Sequence, residues 1–148
     1  MTTSDYAGLV TRMAALVVDA IVLTLVVPVM ADGPPSMWAA ITGQAPGWLK
    51  SLSQIGAALL PVLYFGLLWW GTGQTLGGVV FGTVVRRPDG DQLGPVRSLL
   101  RAVAGLLLPV VWLIGMLFVL WDPRRRALHD RLFGTVVVRK MRFQSRPG

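Results

Sequence analysis

Three long apolar blocks, separated by polar and glycine-rich stretches, set the layout of the chain. The first runs from Met13 to Met30, 18 residues in which Asp19 is the sole charge. The second fills the hydrophobic part of an uncharged stretch from Ser51 to Val85 and ends at Trp69-Trp70-Gly71. The third, Ala102 to Trp121, is 20 residues without a charge. A helix needs about 20 mostly apolar residues to cross a ~30 Å hydrocarbon core. None of the blocks carries the polar residue at every third or fourth position that a soluble amphipathic helix shows. The pattern predicts a single α-helical membrane domain over 1–148. Its parts are a first span at about 9–31, a connection at 32–50, a second span at about 51–70, an amphipathic segment and hairpin at 71–97, a third hydrophobic segment at 98–121 and a basic tail at 122–148. A cleaved leader fits the first block poorly, because Asp5 precedes it, Asp19 interrupts it, and it exceeds the ~7–15 apolar residues of a leader. The segment is expected to stay.

The third block has two readings. It is long enough to span, but Pro109 and Gly115 interrupt it, and a proline in mid-helix removes a backbone bond and kinks or breaks the helix. A re-entrant pair of half-helices is the alternative, tolerated at membrane depth where protein or water covers the backbone. An internal repeat favours re-entry. Phe81-Gly82-Thr83-Val84-Val85-Arg86 recurs as Phe133-Gly134-Thr135-Val136-Val137, followed by Val138-Arg139. Both copies are β-branched runs after a glycine and read as short strands. Pro88-Asp89-Gly90-Asp91 is a turn signal for a hairpin after the first copy. A lone strand leaves its backbone unpaired, so the second copy is expected to pair with that hairpin. Pairing places both copies on one side of the membrane. The predicted fold is therefore two transmembrane helices, a third broken, re-entrant hydrophobic segment, and a small cytoplasmic β-hairpin or strand element.

Charge adds direction to this layout. Lysine and arginine number 14 against 7 acids, for a net charge of +7. The stretch from Ala31 to Lys50 holds one basic residue, Lys50, while Gly71 to Arg101 holds four and the tail after Trp121 holds eight. By the positive-inside rule the first connection is external and the basic segments are cytoplasmic, in a multi-pass protein of the inner (plasma) membrane with both termini inside. The same excess in a soluble protein would suggest nucleic acid; here no nucleic-acid partner is expected. Cysteine and glutamate are absent and histidine occurs once, as His129. That leaves little material for a metal centre, a cofactor site or a soluble enzyme, and no catalytic, metal or cofactor site is predicted.

Asp19 stands close to the middle of the first block, where a carboxylate costs about 2.5–3.5 kcal/mol on insertion scales and should face protein or water with a partner. Arg101 is the favoured partner. Arg12 lies two helical turns before Asp19, about 10 Å away, and shares its face. Asp19 reads either as a helix-anchoring contact or as a proton or cation site. Arg124, Arg125 and Arg126 read as a patch on anionic lipid headgroups, at about 1 kcal/mol per charge. Next to them, Asp130 can raise the imidazole pKa of His129. The glycines at Gly73, Gly77, Gly78 and Gly82 lack the lysine and serine of a phosphate loop and resemble small-residue helix packing instead.

These residues together resemble the RDD family of small bacterial membrane proteins, named for one arginine and two aspartates. Gly8-Leu9-Val10-Thr11-Arg12-Met13-Ala14-Ala15-Leu16-Val17-Val18-Asp19 is similar to the family's first helix, and Gly73-Gln74-Thr75-Leu76-Gly77 to its signature after the second. A basic residue usually follows that signature, where this chain has Gly78. Arg126-Ala127-Leu128-His129-Asp130-Arg131-Leu132-Phe133-Gly134-Thr135-Val136-Val137 looks like the terminal motif, which puts the second aspartate on Asp130, with Asp122 the weaker claimant. The resemblance implies a membrane protein with transport as the suspected role and no assigned molecular function. Two function classes follow. One is ion, proton or small-solute transport, as a homo-oligomer because so few spans enclose little of a pathway. The other is a non-catalytic accessory or assembly subunit of a larger membrane complex, which the apolar connection with Met37, Trp38, Ile41 and Trp48 favours.

Overall fold

A computed structural model describes residues 6–139. The first helix, α1 (Leu9–Thr42), is 34 residues long and contains Pro28, Pro34 and Pro35. It therefore runs through most of the expected connection at 32–50, and only residues 43–46 link it to α2 (Gly47–Gly71). Adjacent prolines each lose one backbone bond but hold a helical φ, and membrane helices tolerate them. Beyond them, Trp38 packs edge-on against Trp48 across the turn, centroids 6.3 Å apart, which closes the helical hairpin. Gly43 makes the turn at φ +88°, a left-handed conformation that favours glycine.

This extension moves Asp19. Along α2, Trp48 and Trp69 are about 32 Å apart at ~1.5 Å per residue, close to a ~30 Å hydrocarbon layer flanked by aromatic belts. Counted from Trp38 on α1, Asp19 falls about 29 Å away. Asp19 thus stands in the first third of α1, not at its middle. Exposure is inverted relative to a soluble bundle. Leu25, Val29, Leu52, Ile55, Leu59 and Leu63 are exposed, while Arg12 and Asp19 are among the most buried residues of α1. Apolar side chains outward and ionic ones inward are the arrangement a lipid solvent requires.

After α2 come α3 (Leu76–Val80) and β1 (Thr83–Arg86), then α4 (Pro95–Leu107) and α5 (Pro109–Met116), a 3-10 turn at Leu117–Leu120, α6 (Leu128–Leu132) and β2 (Val136–Arg139). The third hydrophobic segment breaks at Leu108, where α4 and the segment from Pro109 to Leu120 meet at 104°. Leu108 precedes Pro109 and takes φ −127°, ψ 54°, because the proline ring excludes the helical conformation from the residue before it.

The two repeat copies pair with each other. β1 and β2 are antiparallel, with Val84 opposite Val138 and Val85 opposite Val137. Tyr6 bridges to Val138, and Ala7 N–H donates to the Val137 carbonyl at 2.9 Å, so the amino end lies along the same sheet. Side chains alternate across the strands. Val84, Val136 and Val138 meet Tyr6 on one face, while Val85 and Val137 meet Ala7 and Leu93 on the other, with Trp69 against them. The expected hairpin does not form. Arg87 N–H closes the turn onto Asp91 at 2.9 Å, but residues 92–94 are not a strand. Leu93 turns into the core instead and Gln92 donates to the carbonyls of Trp70 and Gly71 at the end of α2. Because the bent segment leaves from β1 and returns to β2, it enters and exits at one end of the bundle.

The chain lacks cysteine, so single-cysteine variants report cleanly. Cysteines at Gln44 and Asp89 should be labelled by an impermeant maleimide from opposite faces of the membrane, and a cysteine at Arg139 from the same face as Asp89. Labelling of Asp89 and Arg139 positions from opposite faces would refute a re-entrant third segment.

Candidate functional site

Among the described residues, the buried ionic side chains are Arg12, Asp19, Arg101, Asp122 and Asp130, with His129 beside them. Asp130 joins α6 to α1 and α4. It sits in α6, and its Oδ2 reaches back to accept the Ala127 N–H at the helix start, 3.1 Å away. The same oxygen is paired with Arg12 of α1. Its Oδ1 accepts from Arg101 of α4 at 2.7 Å and from the Thr135 hydroxyl at 3.2 Å. Arg101 also donates to that hydroxyl. Arg12 spends its other donors on the carbonyls of Ala7, 3.2 Å, and Arg125, 2.6 Å. Burial alone would push the Asp130 carboxyl up; the charges of Arg12 and Arg101 outweigh it and hold the group well below the usual carboxylate range. Arg101 thus belongs to Asp130, and the expected Arg101–Asp19 pair is not made.

Asp19 has neutral partners. Its Oδ1 accepts from the Tyr64 hydroxyl at 2.7 Å and from Gly77 N–H at 2.8 Å, and its Oδ2 from the Thr75 hydroxyl at 2.6 Å. Thr75 in turn caps α3 by accepting Gly78 N–H at 3.1 Å. Gly77 must be glycine, because a Cβ there would run into the Ala15 carbonyl on α1. Gly77 therefore serves close backbone packing, whereas Gly82 faces open space. Gly73, at φ +76°, lets its carbonyl accept Val85 N–H at 2.7 Å, and Gln74 reaches the Thr83 carbonyl at 2.9 Å. Asp19 consequently ties the whole Gly73–Gly77 signature to α1 and α2.

Asp122 is a third anchor. It accepts from Arg126 Nε at 2.9 Å, from Arg126 N–H at 2.8 Å and from Arg131 at 2.8 Å. The hydrogen bonds from Arg126 hold its carboxyl well below the ordinary range. Arg126 is therefore paired with Asp122, with 28% of its side chain exposed. Arg125 is half-buried at φ +46°, its carbonyl taken by Arg12, while Arg124 is exposed.

His129 lies flat on Trp112, centroids 3.6 Å apart and planes within 3°, and Arg101 lies over Trp69 and Trp112 at 4.8 and 5.4 Å. Neither imidazole nitrogen has a hydrogen-bond partner among the described residues, and Asp130 is 3.7 Å away. Burial and the neighbouring Arg101 push the imidazole pKa down to about 3, so the expected upward shift from Asp130 is overridden. Above these groups opens a pocket of about 460 Å³ between α1, α2, α4 and α5, with Arg12, Asp19, Arg101 and His129 toward its floor and Leu23 and Leu113 on its walls. Among the described residues, no three His, Asp, Glu or Cys side chains are placed to share a metal ion.

Sequence reasoning had not singled out Thr135, Tyr64 or Trp112. The repeat carried a signal for Thr135, since each copy has a left-handed glycine, Gly82 (φ +62°) or Gly134 (φ +59°), before a buried threonine.

Removing one partner of a buried, hydrogen-bonded ion cluster costs about 3–5 kcal/mol. Asp130→Ala should destabilise the protein by that order, read as a lowered thermal midpoint in detergent, and Asp122→Ala by less because Arg131 is half-exposed. A neutral buried His129 sets a pH dependence. The unfolded chain gains a proton as pH falls below 6.5, while the folded imidazole stays neutral until about 3. Stability is then full above pH 6.5 and falls through that window, by about 2 kcal/mol at pH 5. His129→Phe keeps the stack on Trp112 and should flatten the thermal midpoint between pH 7 and pH 5.

The sequence profile of the RDD family matches residues 6–134. Proteins named "Proline-rich antigen homolog" from two strains of Mycobacterium tuberculosis are 31% identical over 97 residues, which is 65% of this chain and 39% of theirs. The chain therefore spans well under half the length of these curated relatives. No solved structure matches it. With the profile covering both ion clusters and the first copy of the strand repeat, the chain belongs to the RDD family.

Proposed function

We propose that this protein carries a small solute across the membrane, as an oligomer, with the pocket above Arg12, Arg101 and His129 as the binding station. The supporting observation is a cavity of about 460 Å³ that ends on buried polar groups within the bundle. Volumes of this order suit a small ligand. Two membrane-crossing helices and a bent pair enclose one side of a route, so neighbouring copies supply the rest.

The floor disfavours cations. Arg12 and Arg101 are balanced by the Asp130 and Asp19 carboxylates, and the oxygens of both carboxylates already hold donors from the protein. A solute that accepts hydrogen bonds fits this lining better than sodium or potassium, which need free oxygen ligands. Asp19 then acts as the anchor of the Gly73–Gly77 signature. A second reading, an accessory subunit, draws on the apolar hairpin tip, where Met37, Ile41 and Trp48 are 71%, 85% and 62% exposed.

Purified protein in proteoliposomes separates these readings. Chloride or acetate gradients should drive flux that Ala102→Trp, which fills the pocket, abolishes. Asp19→Asn should lower the folded yield yet leave flux per folded molecule intact. Sodium-driven proton flux lost in Asp19→Asn would replace the reading with cation exchange at Asp19. A stoichiometric unrelated protein that accompanies the purified chain, without flux, would favour the accessory role.

A further inference from the structure

We propose that the pocket opens sideways into the bilayer and that its resting occupant is the end of a phospholipid acyl chain, admitted at the elbow of the bent segment. The inference goes beyond the transport reading and needs no flux; a transported solute exchanges with this chain.

The depth of the elbow places the mouth. α4 packs on α2 at Gly66, where a Cβ would lie 3.6 Å from Leu99 and 3.9 Å from Ala102. From Ala102 to Leu107 α4 rises about 8 Å, and α2 covers the same distance from Gly66 to Pro61. The elbow at Leu108 and Pro109 therefore stands level with Pro61. Lining residues at this end, Thr24, Leu106, Pro109 and Leu113, are exposed, whereas Arg12, Asp19, Arg101 and His129 at the other end are buried. Exposed apolar side chains flank the elbow level along α2, Leu63 and Leu67 on the platform side and Ile55 and Leu59 beyond. Among the described residues, α1 and α2 alone continue past the elbow, because the bent segment turns back there. The mouth thus faces hydrocarbon.

The lining decides what enters. The Asp19 oxygens accept from Tyr64, Thr75 and Gly77, Arg12 donates to Ala7, Arg125 and Asp130, and Arg101 to Asp130 and Thr135. The unmatched nitrogens of Arg101 and His129 are enclosed and carry no surface of their own. Polar atoms thus face one another, and Leu23, Phe65, Trp112 and Leu113 present carbon to the cavity. Water finds too few partners in such a space, and apolar cavities stay dry. A lipid tail merely trades one apolar neighbour for another, and its headgroup stays at the interface. Pro61 lies about 12 Å from Trp69 along α2, close to the middle of a ~30 Å core, where tails end. The mouth therefore meets the methyl end of a chain rather than its glycerol ester.

The test uses the full chain in phosphatidylcholine nanodiscs holding a trace of phosphatidylcholine with a diazirine, either at the methyl end of one acyl chain or beside its glycerol ester. The chain-end probe should label the inward-facing Phe65 and Trp112, read by mass spectrometry against the exposed Ile55 and Leu59, and the glycerol-side probe should not. Ala102→Trp, and Leu113→Trp at an exposed wall position that tolerates bulk, should each remove most of the Phe65 and Trp112 labelling while the reference labelling persists. An impermeant maleimide should leave Leu106→Cys unmodified from either face. Equal labelling by both probes would overturn entry by the chain end, and labelling that both tryptophan variants leave unchanged would overturn the site. Modification of Leu106→Cys would show a water route and overturn sideways entry. Loss of the labelling on adding squalene would overturn the phospholipid chain in favour of a free lipophile. Because no flux is measured, a failed transport assay leaves this inference standing, and failure of the labelling leaves transport standing.

Discussion

The carboxylate of Asp130, held between Arg12 and Arg101, is the contact on which the rest of the structure depends. It ties the start of α1 to α4 and α6 and, through Thr135, to the head of β2. Taking three charges out of water is expensive, and the attraction among them repays the cost only when every remaining donor and acceptor is met. That condition is nearly fulfilled here by the Ala7 and Arg125 carbonyls and the Ala127 N–H. In an apolar solvent such a cluster does more to specify position than to add stability. Leucines can slide past leucines in lipid, whereas a guanidinium has only this place to go.

The second aspartate is matched by the first in a related setting. Each lies against the N-terminal turn of a five-residue helix, α3 or α6, which leads through Phe-Gly-Thr into a strand. Asp19 reaches α3 from a neighbouring helix, while Asp130 is part of α6 itself. The strands then pair antiparallel, so the two anchors act on opposite ends of one small ladder. Both membrane helices and the bent pair are thereby fixed to a single platform, and the pocket is the space this platform leaves between them.

Much of this could be read from the residues. The apolar blocks marked α1, α2 and the third segment, Pro109 marked the break, and the duplicated Phe-Gly-Thr-Val-Val run marked the strand pairing. The end of α1 was not legible, because Pro34-Pro35 is a strong break signal in water and a tolerable kink among apolar helices. The misplacement of Asp19 followed from that. Its partners were hidden for a different reason. A search for opposite charge finds Arg101, but the donors that satisfy Asp19 are two hydroxyls and a backbone N–H, groups present throughout any chain. The hairpin after β1 failed because a turn signal fixes a reversal of direction but not a strand beyond it, and Gln92-Leu93-Gly94 lacks the β-branched run that β2 possesses.

The Arg12–Asp130 pair joins residues 118 positions apart, and this separation has a consequence for biogenesis. A chain is made from its amino end, so α1 enters the bilayer with a bare guanidinium long before its carboxylate exists. Until α6 emerges, the Arg12 guanidinium lacks the carboxylate that holds it against α4 and α6. Any chain cut short before residue 130 lacks it permanently. The late aspartate thus closes the ion cluster last, after α1, α2 and the bent pair have been made.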